Sequence, residues 1–210
     1  MKSLAFNFSR SSHMGWFVLL LALMGSGPLQ ATAIRQVNLD EMLRQSELVF
    51  DGVVKNIQVK ENEYGRLTTH VTFKVLDVLK GNPGGKTITL VFAGGSKDGK
   101  TLKVGEMDYP DLGERGIYFV ESLQRRLVNP LYGWSQGRFL VLEDEDGIPR
   151  VYTAKKYPVT GLTASSKPSS RQLSRGVAQG VQSSKQPLKK KALLLEQFKR
   201  QLQDKWEIIQ

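Results

Sequence analysis

The sequence predicts a mainly β fold, an antiparallel barrel or sandwich, followed by a basic tail. Two observations carry the fold class. Between residues 34 and 153, about six short segments read as strands, two of them alternating apolar and polar residues, separated by turns rich in Gly, Pro and Asn. No crossover helix fits between them, which argues against a βαβ arrangement. A third observation bears on function. Residues 34–153 carry 16 Lys+Arg against 17 Asp+Glu, whereas residues 154–210 carry 12 against 3, so the basicity of this +10 chain belongs to the tail. A nucleic-acid-binding barrel needs its basic groove on the barrel itself.

The first element is an address. Lys2 and Arg10 precede the apolar run Trp16 to Met24, Gly25 and Pro28 break it, and Ala31-Thr-Ala33 suits a cleavage site. A nine-residue run spans only about 14 Å, roughly half a bilayer core. The expected division is a signal peptide over 1–33, a β-barrel domain over 34–153, a flexible basic linker over 154–186 and an amphipathic helix over 187–210. The mature chain is expected in the periplasm or outside the cell. With no cysteine in the sequence, it has no disulfide, thiol nucleophile or thiolate metal site, and its core must hold it together.

Asn38-Leu-Asp-Glu41 is a helix start, with Asn38 as N-cap and Glu41 at the capping-box position. Leu39, Met42 and Leu43 then form one stripe, and a short helix is predicted over about 39–46. Leu48 to Lys60 reads as a strand in which Gly52 marks a bend or bulge. Leu67 to Leu79 and Thr87 to Ala93 alternate cleanly. Ile117 to Val120, Arg138 to Leu142 and Ile148 to Tyr152 complete six strands, the last two flanking the acidic turn Glu143-Asp-Glu-Asp-Gly147. Thr163 to Lys185 is rich in Ser, Gln, Lys and Arg and reads as linker. Leu188, Leu195, Leu202 and Ile209 recur every seven residues, with Lys189, Lys199, Arg200 and Lys205 on the other face. That helix has three open destinations: its own barrel, a partner helix or an anionic membrane surface.

Four segments together resemble the OB-fold of the tissue inhibitors of metalloproteinases, the netrin-like fold. They are Ser46-Glu-Leu-Val-Phe-Asp-Gly-Val-Val54, Val71-Thr-Phe-Lys-Val-Leu-Asp-Val-Leu-Lys-Gly81, Lys86-Thr-Ile-Thr-Leu-Val91 and Asp111-Leu-Gly-Glu-Arg-Gly-Ile-Tyr-Phe-Val120. The resemblance implies a five- to six-stranded OB-like antiparallel barrel with a short N-terminal helix. Asn129-Pro-Leu-Tyr-Gly-Trp-Ser-Gln-Gly137 adds a similarity to secreted bacterial OB-like proteins of unassigned role. The family's inhibitory N-terminal cysteine is replaced here by Ile34, the expected mature start, and nothing in the sequence pre-organises that end.

No catalytic constellation stands out. Gly85-Lys86-Thr87 lacks the earlier glycine of a phosphate loop, since Lys80 occupies that position. Gly133-Trp-Ser-Gln-Gly137 matches the nucleophile-elbow spacing around Ser135, but a strand follows it and His70 is the one base after cleavage. The acidic turn lacks a full calcium loop. The expectation is therefore an exported, non-enzymatic, protein-binding module with no metal and no cofactor. Its expected contact residues are Ile34, Tyr109, Tyr132, Trp134 and Gln136, with the loops around 94–112 and 123–137. The partner expected is another exported protein, a protease being the candidate that the resemblance implies. Three rivals are a cysteine-independent metalloprotease inhibitor, a tail that binds a polyanion, nucleic acid or anionic membrane, and a serine hydrolase. Outside that tail alternative, no nucleic-acid partner is expected.

Overall fold

A computed structural model describes residues 34–164, 172–185 and 192–209. The expected signal peptide, part of the expected linker and the Lys189–Lys191 run lie outside the described residues.

Helix α1 (Leu39–Gln45) begins where the sequence places it. The Asn38 side chain accepts from the Glu41 backbone N–H at 2.6 Å, and Asp40 and Glu41 lie in the first turn where the helix dipole favours them. Its stripe of Leu39, Met42 and Leu43 is buried. The six expected strands are β1 (Leu48–Glu61), β2 (Leu67–Lys80), β3 (Thr87–Ala93), β6 (Arg115–Val120), β7 (Arg138–Glu143) and β8 (Pro149–Thr153). Two short strands, β4 (Gly95–Lys97) and β5 (Lys100–Leu102), form a hairpin inside what the sequence presents as a long loop.

The six strands make one antiparallel sheet in the order β3-β2-β1-β6-β7-β8. The sheet is open: the free side of β7 is taken by β8, so β3 and β8 are its edges. At one end the chain after β6 crosses back to β3. Leu131 bridges to Val120, and the Ala93 N–H donates to the Val128 carbonyl at 2.9 Å.

The pairing of β1 with β2 shifts register between Asp51 and Gly52. A Cβ at Gly52 would lie 2.6 Å from the Phe50 ring, so the irregularity requires glycine. The two sheet faces bury separate clusters. Val49, Ile117, Phe119, Phe139, Val141 and Val151 face α1 and a second helix, α2 (Leu195–Ile209). Phe50, Phe73 and Tyr118 pack ring against ring on the other face, with Val71, Leu90 and Phe92 beside them.

The segments behind the family resemblance shape this fold. Lys80 donates to the Leu43 and Arg44 carbonyls at 2.7 and 2.8 Å, closing the C-terminal end of α1. Gly81, at φ 81°, approaches the Glu47 carbonyl so closely that a Cβ would sit 2.2 Å from it. Glu47 accepts from the Leu123 N–H at 2.8 Å and the Ser122 hydroxyl at 3.0 Å. Those bonds, the backbone one first, hold its carboxyl below the usual range. Arg115 pairs with Asp51 at 2.8 Å, and the Tyr118 hydroxyl donates to Glu114 at 3.0 Å.

The described residues of the stretch expected as a flexible linker, 154–164 and 172–185, differ from that reading. Within it β9 (Val159–Leu162) pairs with β10 (Val181–Ser183), and Val159 and Ala178 are buried. Backbone pairing holds this segment, and polar side chains do not oppose it: the Leu39 N–H donates to Gln179 and the Gln179 N–H to Val37, both at 2.9 Å. Of the three destinations open to the tail helix, the structure selects the chain's own sheet. Leu195, Phe198 and Leu202 of α2 are buried, with the Phe198 ring 5.0 Å from that of Phe139. The described residues just before Leu195 are not helical, since Leu193 and Leu194 pair with neighbouring strands. The Leu193 carbonyl accepts from the Val151 N–H at 3.0 Å, and its own N–H donates to Val159 at 2.7 Å. No helix among the described residues is long and apolar enough to cross a membrane.

A candidate binding cleft at an open sheet edge

Strand β3 pairs with β2 without a register shift. The Val75 N–H donates to the Lys86 carbonyl, and the Gly94 N–H to the Leu67 carbonyl. Backbone direction alternates along an antiparallel strand. Residues 88, 90 and 92 therefore direct their N–H and C=O groups at β2, while Thr87, Thr89, Val91 and Ala93 direct theirs outward. Ala93 confirms the alternation by bonding Val128 on the outer side. Side chains alternate too: Leu90 and Phe92 are buried in the second cluster, whereas Thr87, Thr89 and Val91 are exposed.

A cleft of about 530 Å³ lies along this edge. One wall is β3 from Thr89 to Ala93; the other is the loop from Ser122 to Leu127 together with Pro130. Lys60, Glu61, Thr68 and His70 border it from the β1–β2 end. The Glu61 carboxylate is taken by Lys100 at 2.7 Å, and Arg125 by Glu121 at 2.9 Å. Burial and the nearby Lys60 push the His70 imidazole below its ordinary pKa, which favours its neutral form. Its ring nitrogen Nε2 lies 3.2 Å from the Thr68 hydroxyl.

The five expected contact residues do not form one surface. Gln136, expected to be a contact, is buried and fully engaged inside the chain, which corrects that reading. Its Oε1 accepts from the Val37 N–H and the Gln36 side chain at 3.1 and 3.0 Å, and its Nε2 donates to the Arg35 and Gly133 carbonyls at 2.9 and 3.0 Å. Tyr132 and Trp134 are half-buried nearby, the Tyr132 hydroxyl donating to Glu41 at 2.9 Å. Burial first, then that bond, pushes the phenol up to about 12. Tyr109 lies elsewhere: its ring packs against Phe92 and its hydroxyl donates to the Ala93 carbonyl at 2.8 Å, just behind the cleft.

Ile34 is also less free than the sequence implies. Its carbonyl accepts from the Ser174 N–H at 2.8 Å, and the Gln36 N–H donates to Gln172 at 2.8 Å. Replacing Gln136 by Ala strands the buried Val37 N–H and removes the side-chain donor to the Arg35 carbonyl, while the Gly133 carbonyl keeps the residue-136 backbone N–H at 3.2 Å. The expected cost is about 1–3 kcal/mol, with faster amide exchange at Val37 as the specific readout in hydrogen-exchange NMR.

Ser135 sits in a four-residue 3-10 turn (Trp134–Gly137) that runs directly into β7. That is not the strand-to-helix elbow of a hydrolase, and the partner of His70 is Thr68. Asp144 in the acidic turn accepts from Arg150 at 2.6 Å and from the Asp146 and Ile148 N–H groups at 3.0 Å. Its carboxylate therefore serves the turn. Among the described residues no group of three or more acidic or imidazole side chains is placed to hold a metal ion.

Sequence reasoning reached the 123–137 loop but did not single out β3 as an open edge of the sheet. The signal present was a seven-residue alternating strand without a charge or proline in Thr87 to Ala93. Its position at an edge depends on β8 taking the side of β7, which no local pattern encodes. No protein-family model, curated protein or solved structure matches this chain.

Proposed function

We propose that the chain is an exported binding module without catalysis of its own, and that its partner is another exported protein held at the β3 cleft. The architecture we infer is a partly open OB-like barrel, whose interior is the Phe50–Phe73–Tyr118 cluster and whose gap lies beside β3. The observation that carries the functional reading is a sheet edge whose backbone from Thr87 to Val91 has no outward partner among the described residues, beside a cleft walled on its far side by the Ser122–Leu127 loop. Such an edge offers main-chain hydrogen bonds to another polypeptide.

The polyanion reading of the tail has less support. Lys199 of α2 pairs with Asp51 and Asp77 at 2.9 and 3.0 Å, and Lys205 pairs with Asp40 at 3.1 Å. Those cations are committed within the chain.

The absence of cysteine makes a site-specific test direct. A Thr89→Cys variant carrying a benzophenone is irradiated in a native extract, beside an Asp146→Cys control on the β7–β8 turn. A discrete protein adduct from position 89 and none from position 146 is the expected result. Equal labelling from both positions, or no adduct from position 89, overturns the reading.

A further inference from the structure

We propose that β3 accepts an extended, acidic peptide segment of the partner as an added β-strand, a mode that rests on the protein-binding reading above. The two edges of the sheet are treated differently. Along β8 the outward backbone is covered: Val151 bonds Leu193, Thr153 bonds Tyr157, and Arg150 bridges to Leu194. Along β3 that cover stops at Ala93, and Thr87, Thr89 and Val91 have no outward backbone partner among the described residues. Folded proteins blunt exposed edges with lysines, prolines or bulges. Between Thr87 and Ala93 there is no charge, no proline and no register shift.

The span from Thr87 to Val91 is about 14 Å at strand rise, room for an added strand of about five to seven residues. One face of that strand meets Leu123, Leu127 and Pro130 across the cleft, so apolar residues are favoured there. The charge at the edge selects the rest of the ligand. With Glu61 and Arg125 paired, Lys60 and Arg126 remain exposed without an acidic partner among the described residues, and Lys86 is exposed at the opposite end of β3. Both ends of the edge are therefore positive.

That arrangement also disfavours the other occupants. A second copy pairing through its own β3 sets basic end against basic end. Single-stranded nucleic acid binding relies on exposed aromatic platforms, and among the described residues the one aromatic carbocycle lining the cleft is Phe92, which is 0% exposed.

The test titrates the isotopically labelled full chain with the probe acetyl-Glu-Val-Thr-Val-Thr-Val-Glu-amide. Two controls are the same peptide with Lys at both ends and the same peptide N-methylated at alternate residues. Shifts and slowed exchange at the Thr89 and Val91 amides are expected. Affinity is expected at least about ten-fold above that of the Lys-ended peptide, with loss of binding on N-methylation. A Lys60→Glu/Arg126→Glu variant should reverse the charge preference while leaving the β2–β3 amide pattern intact. No change at Thr89 and Val91, or equal affinity for both charged peptides, overturns the proposal. So does a peptide-free dimer that protects those amides, or binding of heparin oligosaccharide in place of the peptide. If these fail while the Thr89 crosslink still yields a protein adduct, strand addition falls and the protein-binding reading stands.

Discussion

Replacing Asp51 by Ala is expected to destabilise the chain by about 3–5 kcal/mol, the range for breaking a buried ion pair from one side. The Asp51 side chain is 0% exposed in the strand Leu48-Val-Phe-Asp-Gly-Val-Val54, and two cations converge on it. Arg115 of the neighbouring strand lies at 2.8 Å and Lys199 of α2 at 2.9 Å. Removing the carboxylate leaves both cations facing a buried gap. Lys199 retains Asp77 at 3.0 Å, and Arg115 is one-third exposed and able to reach solvent, so the cost should not exceed that range. Urea unfolding followed by tryptophan fluorescence reads it. In a Lys199→Met background the same Asp51→Ala change should cost less, because one of the stranded charges is already gone. Equal costs in both backgrounds would mean that the pair is not coupled.

The pH dependence of this network has a definite sign. Burial pushes the Asp51 carboxyl up, but hydrogen bonds from Arg115 and Lys199 together outweigh it and hold the carboxyl below its ordinary value. A carboxyl whose folded pKa is depressed contributes fully above its unfolded value of about 3.9. That contribution is lost as pH falls through the folded pKa. For Lys199, burial works against the charge, yet the bonds to Asp51 and Asp77 win and raise its pKa. Its contribution is therefore full below the ordinary lysine value of about 10.4 and lost as pH rises beyond it. Glu114 runs opposite to Asp51. Burial raises it despite Arg138 and Tyr118, so it favours the folded state toward acid. The difference between wild-type and Asp51→Asn stability curves removes Glu114 from the comparison. That difference should be flat between about pH 5 and pH 9 and shrink below about pH 4.

Strands β2 and β3 were legible because each is long enough to show period two, whereas β6 and β7 read as short apolar runs between turns. Val71 and Phe73 face one way, and Ile88, Leu90 and Phe92 do likewise. The helix start was legible because Asn38 caps it locally. What stayed hidden depends on distant partners. Strands β9 and β10 carry Val159 but few other buried apolar side chains, so their polar composition reads as linker while the backbone does the holding. Lys199 reads as the solvated face of an amphipathic helix, and its partner lies on β1. A trace of that pairing was present, since a lone carboxylate inside the apolar run Leu48 to Val54 requires a cation. Nothing in the spacing says which one. The candidate site divides the same way. The loop after β6 was foreseeable, whereas the open edge follows from which strand takes the last free side of the sheet.

Replacing Phe198 by Ala is expected to cost about 3–5 kcal/mol, the range for truncating a buried aromatic. Phe198 is 0% exposed and packs its ring 5.0 Å from Phe139, which itself stacks edge-on with Phe119 at 5.7 Å. Its loss opens a cavity beneath α2, bounded by two strands that have little freedom to collapse into it. The same change also tests whether the tail is an appendage or part of the folded unit. A helix that merely rested on the sheet would detach at small cost, leaving the unfolding midpoint near that of the wild type. A helix whose apolar stripe completes the core lowers the midpoint by the full amount in one cooperative transition. The two clusters lie on opposite faces of the sheet, so the β3 cleft should be spared. At a temperature where Phe198→Ala remains folded, its affinity for the acidic peptide should match that of the wild type. Loss of peptide binding in a folded Phe198→Ala protein would show that the two faces are coupled through the sheet.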